Sequence, residues 1–143
     1  MDRGDLVLAI LAAADGRPYT PVQIQKAVFV ICDQFPDLID DGPGFNFEPY
    51  DYGPFDSDVY SEISALDARG EAIIAPSGIG NWNTYAASDY GLARGRALLD
   101  EMGRQGKYVQ KISDWVRSMS FSQLVKSIYE AYPDMRANSI FRG

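Results

Sequence analysis

The sequence contains no histidine, and this removes the commonest general base and metal ligand of proteins. Serine–histidine and cysteine–histidine nucleophile pairs are excluded for the same reason. The single cysteine, Cys32, excludes an internal disulfide and a cysteine zinc cluster, and it fits a reducing compartment. No phosphate-binding glycine loop is present, because Gly78-Ile-Gly80 lacks the required spacing and following helix. We therefore expect no enzymatic activity, no cofactor and no metal.

A catalytic site built from carboxylates alone stays open as an alternative. Asp51, Asp56 and Asp58 lie close together in the sequence and could in principle act as acid and base. The abundance of acids is the only feature that suggests a catalytic pair among them. Such an enzyme would need two neighbouring acids with perturbed pKa values in a deep pocket.

Long hydrophobic runs are also missing. No apolar stretch approaches the about 20 residues that cross a bilayer, and the acidic N-terminal stretch lacks the layout of a signal peptide. We expect a cytoplasmic protein without membrane contact. The length of 143 residues fits one domain, with a core at 1–103 and two C-terminal helices at 104–143 packed on it.

Positive charge is scarce in the first half of the chain. Residues 1–70 carry four Lys and Arg against thirteen Asp and Glu, a net charge of −9, whereas residues 71–143 carry +2. The acidic half would repel phosphate backbones and attract a basic partner. A need for solubility alone would also explain this excess of negative charge.

Apolar periodicity and capping signals predict six helices. The first covers residues 2–14, with Leu6, Ile10 and Ala14 on one face. Capping boxes open the second helix at Thr20 and the sixth at Ser120. The remaining starts are Asp56 as N-cap of the third helix, Ser88 as N-cap of the fourth, and a loosened junction at Gly103 and Gly106 before the fifth.

A β-hairpin is predicted between the third and fourth helices, near residues 71–86. Two short β-prone runs flank the glycine-rich tip at 76–81. A helix followed by a small hairpin is the layout of a winged helix. The expected fold is therefore α+β and mostly helical, a single winged-helix-like domain with a further short extended segment near 45–50.

The most distinctive stretch is residues 45–60, with six aromatics and two prolines in sixteen residues. Alternation of Phe45 and Phe47 with polar residues indicates an extended segment, and Gly53-Pro54 predicts a tight turn before the third helix. These aromatics are either core or a partly exposed surface. Tyrosine is favoured in protein interfaces. The candidate protein-binding residues are Tyr50, Asp51, Tyr52, Asp56, Asp58, Tyr60 and Glu62.

Winged helices often bind DNA, so a DNA-binding transcriptional regulator is the alternative function. The third helix, which would enter the major groove, is acidic, and phosphate contacts need several Lys and Arg. The basic residues that could bind nucleic acid instead are Arg94, Arg96, Arg104 and Lys107. Solvated surface charge explains them better, so nucleic acid is not the expected partner.

A family resemblance rests on Gln23-x-Gln25-Lys26 and on the Tyr-Gly-Pro element of Tyr50-x-Tyr-Gly-Pro-Phe55, which precedes a helix. These residues resemble the Panacea domain, the SocA-like antitoxin family with its uncharacterised bacterial and phage-associated relatives. The resemblance covers about residues 20–100. It implies a winged-helix-like fold without catalytic residues. It also implies an accessory role in which the chain binds a toxin, or adapts it to a protease or chaperone.

Overall fold

The computed structural model describes all residues from 1 to 143 and has six α-helices and two small antiparallel hairpins. The fold is α+β and mostly helical, as the sequence predicts. The helices are α1 (Arg3–Ala13), α2 (Pro21–Gln34), α3 (Asp58–Ala68), α4 (Asp89–Met102), α5 (Arg104–Ser118) and α6 (Phe121–Ala131), followed by a 3-10 turn at Pro133–Arg136. The strands are β1 (Glu48–Tyr50), β2 (Gly53–Phe55), β3 (Ala72–Pro76) and β4 (Asn83–Ala87). None of the helices is long and apolar enough to cross a membrane.

Helix α1 is the centre of the core rather than an amphipathic surface helix. Every residue from Leu6 to Ala14 is buried, because α3, α4 and α5 cover α1 on different sides. The expectation of one apolar face was therefore too narrow. A helix that is apolar all round is stable only when other elements surround it.

The two predicted capping boxes are confirmed. The Thr20 hydroxyl accepts a hydrogen bond from the Gln23 backbone, and the Gln23 side chain accepts one from the Thr20 backbone. Ser120 and Gln123 make the same reciprocal pair at the start of α6. These bonds satisfy N–H groups that a helix start otherwise leaves free, so both helices begin where the sequence predicts.

The hairpin between α3 and α4 is also confirmed. Strands β3 and β4 pair from Ala72 opposite Ala87 to Pro76 opposite Asn83. A single antiparallel bridge from Tyr19 to Tyr85 ties the hairpin to the segment before α2. The hairpin tip is free, since Ile79 is 85% exposed and Trp82 is 42% exposed.

The aromatic segment forms a second hairpin, which we call the aromatic hairpin (residues 48–55). Strand β1 pairs with β2 from Glu48 opposite Phe55 to Tyr50 opposite Gly53. The predicted turn at Gly53-Pro54 is wrong, because both residues lie in β2 and the turn lies at residues 51–52. Proline is tolerated in this strand because a two-stranded ribbon has free edges.

Two further helix boundaries differ from the prediction. Helix α3 begins at Asp58 with Ser57 as N-cap, although the Asp56 carboxylate still accepts the Asp58 N–H at 2.9 Å. Helix α5 begins directly after Gly103, so Gly106 lies inside it. A Cβ at Gly106 would stand 2.2 Å from the Leu99 carbonyl oxygen. Gly106 therefore allows close packing of α5 against α4 rather than a loose junction.

Candidate functional site

A pocket of about 210 Å³ lies between the aromatic hairpin and the N-terminal half of α2. Four of the predicted protein-binding residues line it, namely Tyr50, Asp51, Tyr52 and Tyr60. The other lining residues are Pro21, Val22, Gln25, Lys26, Gly53 and Phe55. The fold thus brings the hairpin turn, α2 and the first turn of α3 to one place.

The pocket has aromatic walls. The rings of Tyr50 and Phe55 stack across the hairpin at 5.1 Å, and Phe55 meets Tyr60 of α3 at 5.9 Å. Tyr50 remains 54% exposed and Tyr52 37% exposed, with the Tyr52 ring 5.0 Å from Phe121 of α6. The segment is therefore divided between a packed part and an exposed part, and the exposed tyrosines stand at the pocket mouth.

Lys26 is the most unusual group beside this pocket. It is only 3% exposed, and its Nζ donates a hydrogen bond to the Pro54 carbonyl at 3.0 Å. Burial lowers the pKa of the Lys26 amine from 10.5 to about 7, because a buried charge loses its hydration. No carboxylate forms an ion pair with it.

Gln25, beside Lys26, fixes the end of the aromatic hairpin to α2. Its amide nitrogen donates to the Asp56 carbonyl at 2.9 Å, and its amide oxygen accepts the Asp56 N–H at 3.0 Å. A paired donor and acceptor of this kind holds the backbone in one register. The Gln25 side chain is itself buried, so the clamp is protected from water.

The acidic residues of the predicted surface do not all remain free. Arg3 of α1 pairs with Asp58 at 3.0 Å and with Glu62 at 3.5 Å. The Asp56 carboxylate accepts the backbone N–H groups of Asn46, at 2.7 Å, and Asp58. Of the predicted acids, Asp51 alone lines the pocket, and Glu62 lies away from it next to Arg3.

A second depression adjoins the other side of the Tyr50–Phe55 stack. Its volume is about 410 Å³, and Asn46, Glu48, Asp56 and Asp58 contribute its polar lining. Tyr50 and Phe55 line both depressions, so they form a partition between them. The aromatic pocket therefore has an acidic neighbour on the outer side of the hairpin.

The C-terminal segment rests against the hairpin turn. The backbone N–H of Ile140 donates to the Asp51 carbonyl at 2.9 Å, and the Ser139 hydroxyl donates to the same oxygen at 3.2 Å. The Tyr129 hydroxyl of α6 donates to Ser139 Oγ at 2.6 Å. These bonds hold the turn in place in addition to the hydrogen bonds from α2.

The residues named for nucleic-acid binding do not form one free basic surface. Arg94 pairs with Asp5 at 2.7 Å and with Glu71 at 2.5 Å. Arg96 pairs with Asp15. Arg104 and Lys107 are exposed in the first turn of α5. Half of this set is thus occupied by ion pairs within the chain.

Sequence reasoning did not assign a role to Gln25 and Lys26, which entered only as part of a motif. A signal was present: both stand inside the apolar run of α2, between Ile24 and Ala27. A lysine at such a position is expected to be buried only if another element covers it and offers an acceptor. The aromatic hairpin supplies both the cover and the acceptor.

The chain is thus a mostly helical α+β protein with an aromatic pocket beside a buried lysine. No protein-family model matches it, and no curated protein does.

Proposed function

We propose that the chain is a non-enzymatic protein-binding module that holds a basic segment of a partner at the aromatic hairpin. The observation that carries this proposal is the exposure of Tyr50 and Tyr52 at the mouth of a preformed pocket. Buried tyrosines would only build the core, whereas half-exposed tyrosines around a cleft resemble the anchor points of protein interfaces. The net charge of −7 favours a partner of opposite sign.

The resemblance of the Tyr-Gly-Pro element supports a more specific role. We propose an antitoxin-like protein or a phage- or defence-associated accessory protein, which would bind a toxin or adapt it to a protease or chaperone. In this role the partner contacts Tyr50, Asp51, Tyr52 and Tyr60 directly. Asp56, Asp58 and Glu62 contribute their negative charge around this surface, although Asp58 and Glu62 share theirs with Arg3.

The test uses basic peptides selected from a display library against the purified chain. We expect peptide titration to shift the backbone NMR signals of residues 48–60. Tyr50→Ser should weaken binding by about tenfold or more, as expected for an interface anchor. Tyr90→Ser is the matched control, because Tyr90 is 72% exposed on α4 and should not contribute.

Two results would contradict the proposal. One is a set of selected peptides whose signals map to another surface. The other is equal affinity for wild type and Tyr50→Ser. Asp51→Lys tests the charge and should weaken the binding of a basic peptide. Asp51 is preferred to Asp58 for this change because Asp58 forms an ion pair with Arg3.

A further inference from the structure

Lys26 is a buried amine without a counter-ion in a chain that holds twenty Asp and Glu. The ion pairs of the structure use the N-terminus and the arginines Arg3, Arg69, Arg94 and Arg96, and none of them includes Lys26. An ammonium group has three donors, and Pro54 accepts one of them. Two donors are left for another acceptor.

The elements packed around Lys26 bring no negative charge to it. On the hairpin side, Gly53 has no Cβ, and one placed there would lie 3.5 Å from Lys26 Cε and 3.3 Å from the Tyr129 ring of α6. The titratable groups that line the pocket are Asp51 and the tyrosines Tyr50, Tyr52 and Tyr60. Asp51 makes no ion pair with Lys26, and the Tyr129 hydroxyl donates to Ser139.

The pocket beside Lys26 has the size and walls for one apolar side chain. Its volume is about 210 Å³, and Tyr50, Phe55 and Tyr60 give it flat aromatic faces. The acidic depression lies on the other side of the Tyr50–Phe55 stack. One ligand could therefore place an apolar group in the pocket, an anion on Lys26 and positive charges over the acids.

We propose that the pocket binds the C-terminal residue of the partner, an apolar residue whose free carboxylate pairs with Lys26. The basic residues that precede it then lie over Glu48, Asp51 and Asp56. This inference rests on the proposed function and names the part of the partner that enters the pocket. Capture of a C-terminal carboxylate by preplaced donors is an established mode of peptide recognition.

The protonation of Lys26 supplies a signature of this contact. With its pKa lowered to about 7, the amine is largely neutral at pH 8, whereas a carboxylate stabilises the charged form. Binding should therefore take up protons at pH 8, and the affinity should fall as the pH rises above about 7. A peptide without a terminal carboxylate has no reason to show either effect.

The experiment compares each selected basic peptide, ending in an apolar residue, as a free acid and as a C-terminal amide. At pH 6.5 we expect the acid to bind about tenfold more tightly or better, as a charge-assisted hydrogen bond in a sheltered site would give. Calorimetry at pH 8 in two buffers of different ionisation enthalpy should show proton uptake for the acid alone. This measurement needs only the wild-type chain, so it does not depend on the folding of a variant.

Lys26→Met should remove the preference for the acid, so that the acid and the amide bind this variant with equal affinity. The control is Lys107→Met, which changes an exposed lysine on α5 and should keep the preference. Equal binding of acid and amide to the wild type would overturn the inference. If acid and amide bind equally but both still depend on Tyr50, the proposed function stands although the inference about the C-terminal carboxylate fails.

A titration with phenylacetate tests whether the pocket is a site for a small carboxylate or for the C-terminus of a peptide. If phenylacetate binds with proton uptake as tightly as the best peptide, the pocket is a small monocarboxylate site and the peptide inference falls. If it binds at least about tenfold more weakly than the acid peptide, the upstream residues contribute and the inference is supported. A library that yields no basic peptide contradicts the proposed function.

Discussion

Lys26 places an amine where neither water nor a carboxylate stabilises its charge. The side chain is nearly fully buried and its one recorded acceptor is a backbone carbonyl. Such a group favours its neutral form, which needs fewer acceptors than an ammonium. The folded state therefore binds fewer protons than the unfolded chain at mildly alkaline pH.

The first prediction concerns the stability of the chain between pH 7 and pH 9.5. Folding lowers the pKa of Lys26 from 10.5 to about 7, so the free energy of unfolding should rise with pH across this window. Urea unfolding of Lys26→Met should show a smaller rise than the wild type. The titration of the N-terminal amine is common to both chains and cancels in the comparison.

Lys107→Met is the matched control, because it removes an exposed amine and should follow the wild type. An equal pH dependence in wild type and Lys26→Met would show that the buried amine stays charged in the folded chain. That outcome would also remove the proton uptake expected on carboxylate binding.

Helix α4 approaches its neighbours through two glycines on one face. A Cβ at Gly91 would lie 2.0 Å from the Glu71 carbonyl oxygen, and one at Gly95 would lie 2.4 Å from Ala12 Cβ. Both distances are far below van der Waals contact. Glycine costs helix propensity, and here the cost is offset by close packing of α4 against α1 and against the backbone of Glu71, which precedes β3.

The second prediction is that Gly91→Ala destabilises the chain although alanine is the better helix former. The gain in propensity is about 1 kcal/mol, and the clash with a backbone carbonyl should outweigh it, for a net loss of about 1–3 kcal/mol in urea unfolding. The control is Ala97→Gly on the exposed side of α4, which should lose only about 1 kcal/mol. A more stable Gly91→Ala chain would mean that α4 can move away from the Glu71 carbonyl at little cost.

Local signals in the sequence located most elements. The capping boxes at Thr20 and Ser120 determine where α2 and α6 begin, because both partners of each bond are three residues apart in the chain. The hairpin between α3 and α4 followed from two β-prone runs and a glycine-rich tip. These features depend on neighbours in sequence, which a single chain reveals.

Tertiary contacts explain what the sequence did not reveal. Gly53 and Pro54 indicate a turn by composition, yet they form a strand because Lys26 and Gln25 of α2 bond to the backbone on this side of the hairpin. The exposure of Tyr50 and the burial of Lys26 likewise depend on how the hairpin covers α2. Periodicity along one helix carries no information about such a cover.

On the scale of the whole molecule, the charges favour a basic partner over nucleic acid. The chain carries a net charge of −7, and two of its candidate DNA-binding arginines are engaged in ion pairs. Several free Lys and Arg are needed to release counterions from a duplex. Arg104 and Lys107 alone give too few phosphate contacts.

The third prediction is therefore that a fluorescent DNA duplex shows no anisotropy change with this chain, even at about 50 mM salt, where non-specific binding is strong. Binding that weakens steeply with salt and is lost in Arg104→Ala with Lys107→Ala would instead support the winged-helix regulator. The matched control is the double variant Arg136→Ala with Arg142→Ala, which removes the same charge from another part of the chain.

The central position of α1 has a consequence for the order in which the protein is made. Ribosomes synthesise α1 before α3, α4 and α5, but its apolar sides are covered only when those three helices have also emerged. Until those helices emerge, the nascent chain therefore carries an unprotected hydrophobic segment, the kind of surface that chaperones recognise. Ribosome-bound chains stalled before α4 should be cleaved within residues 6–14 by a protease, whereas released full-length chains should resist it. Equal protection of both would show that α1 finds a temporary cover among the first three helices.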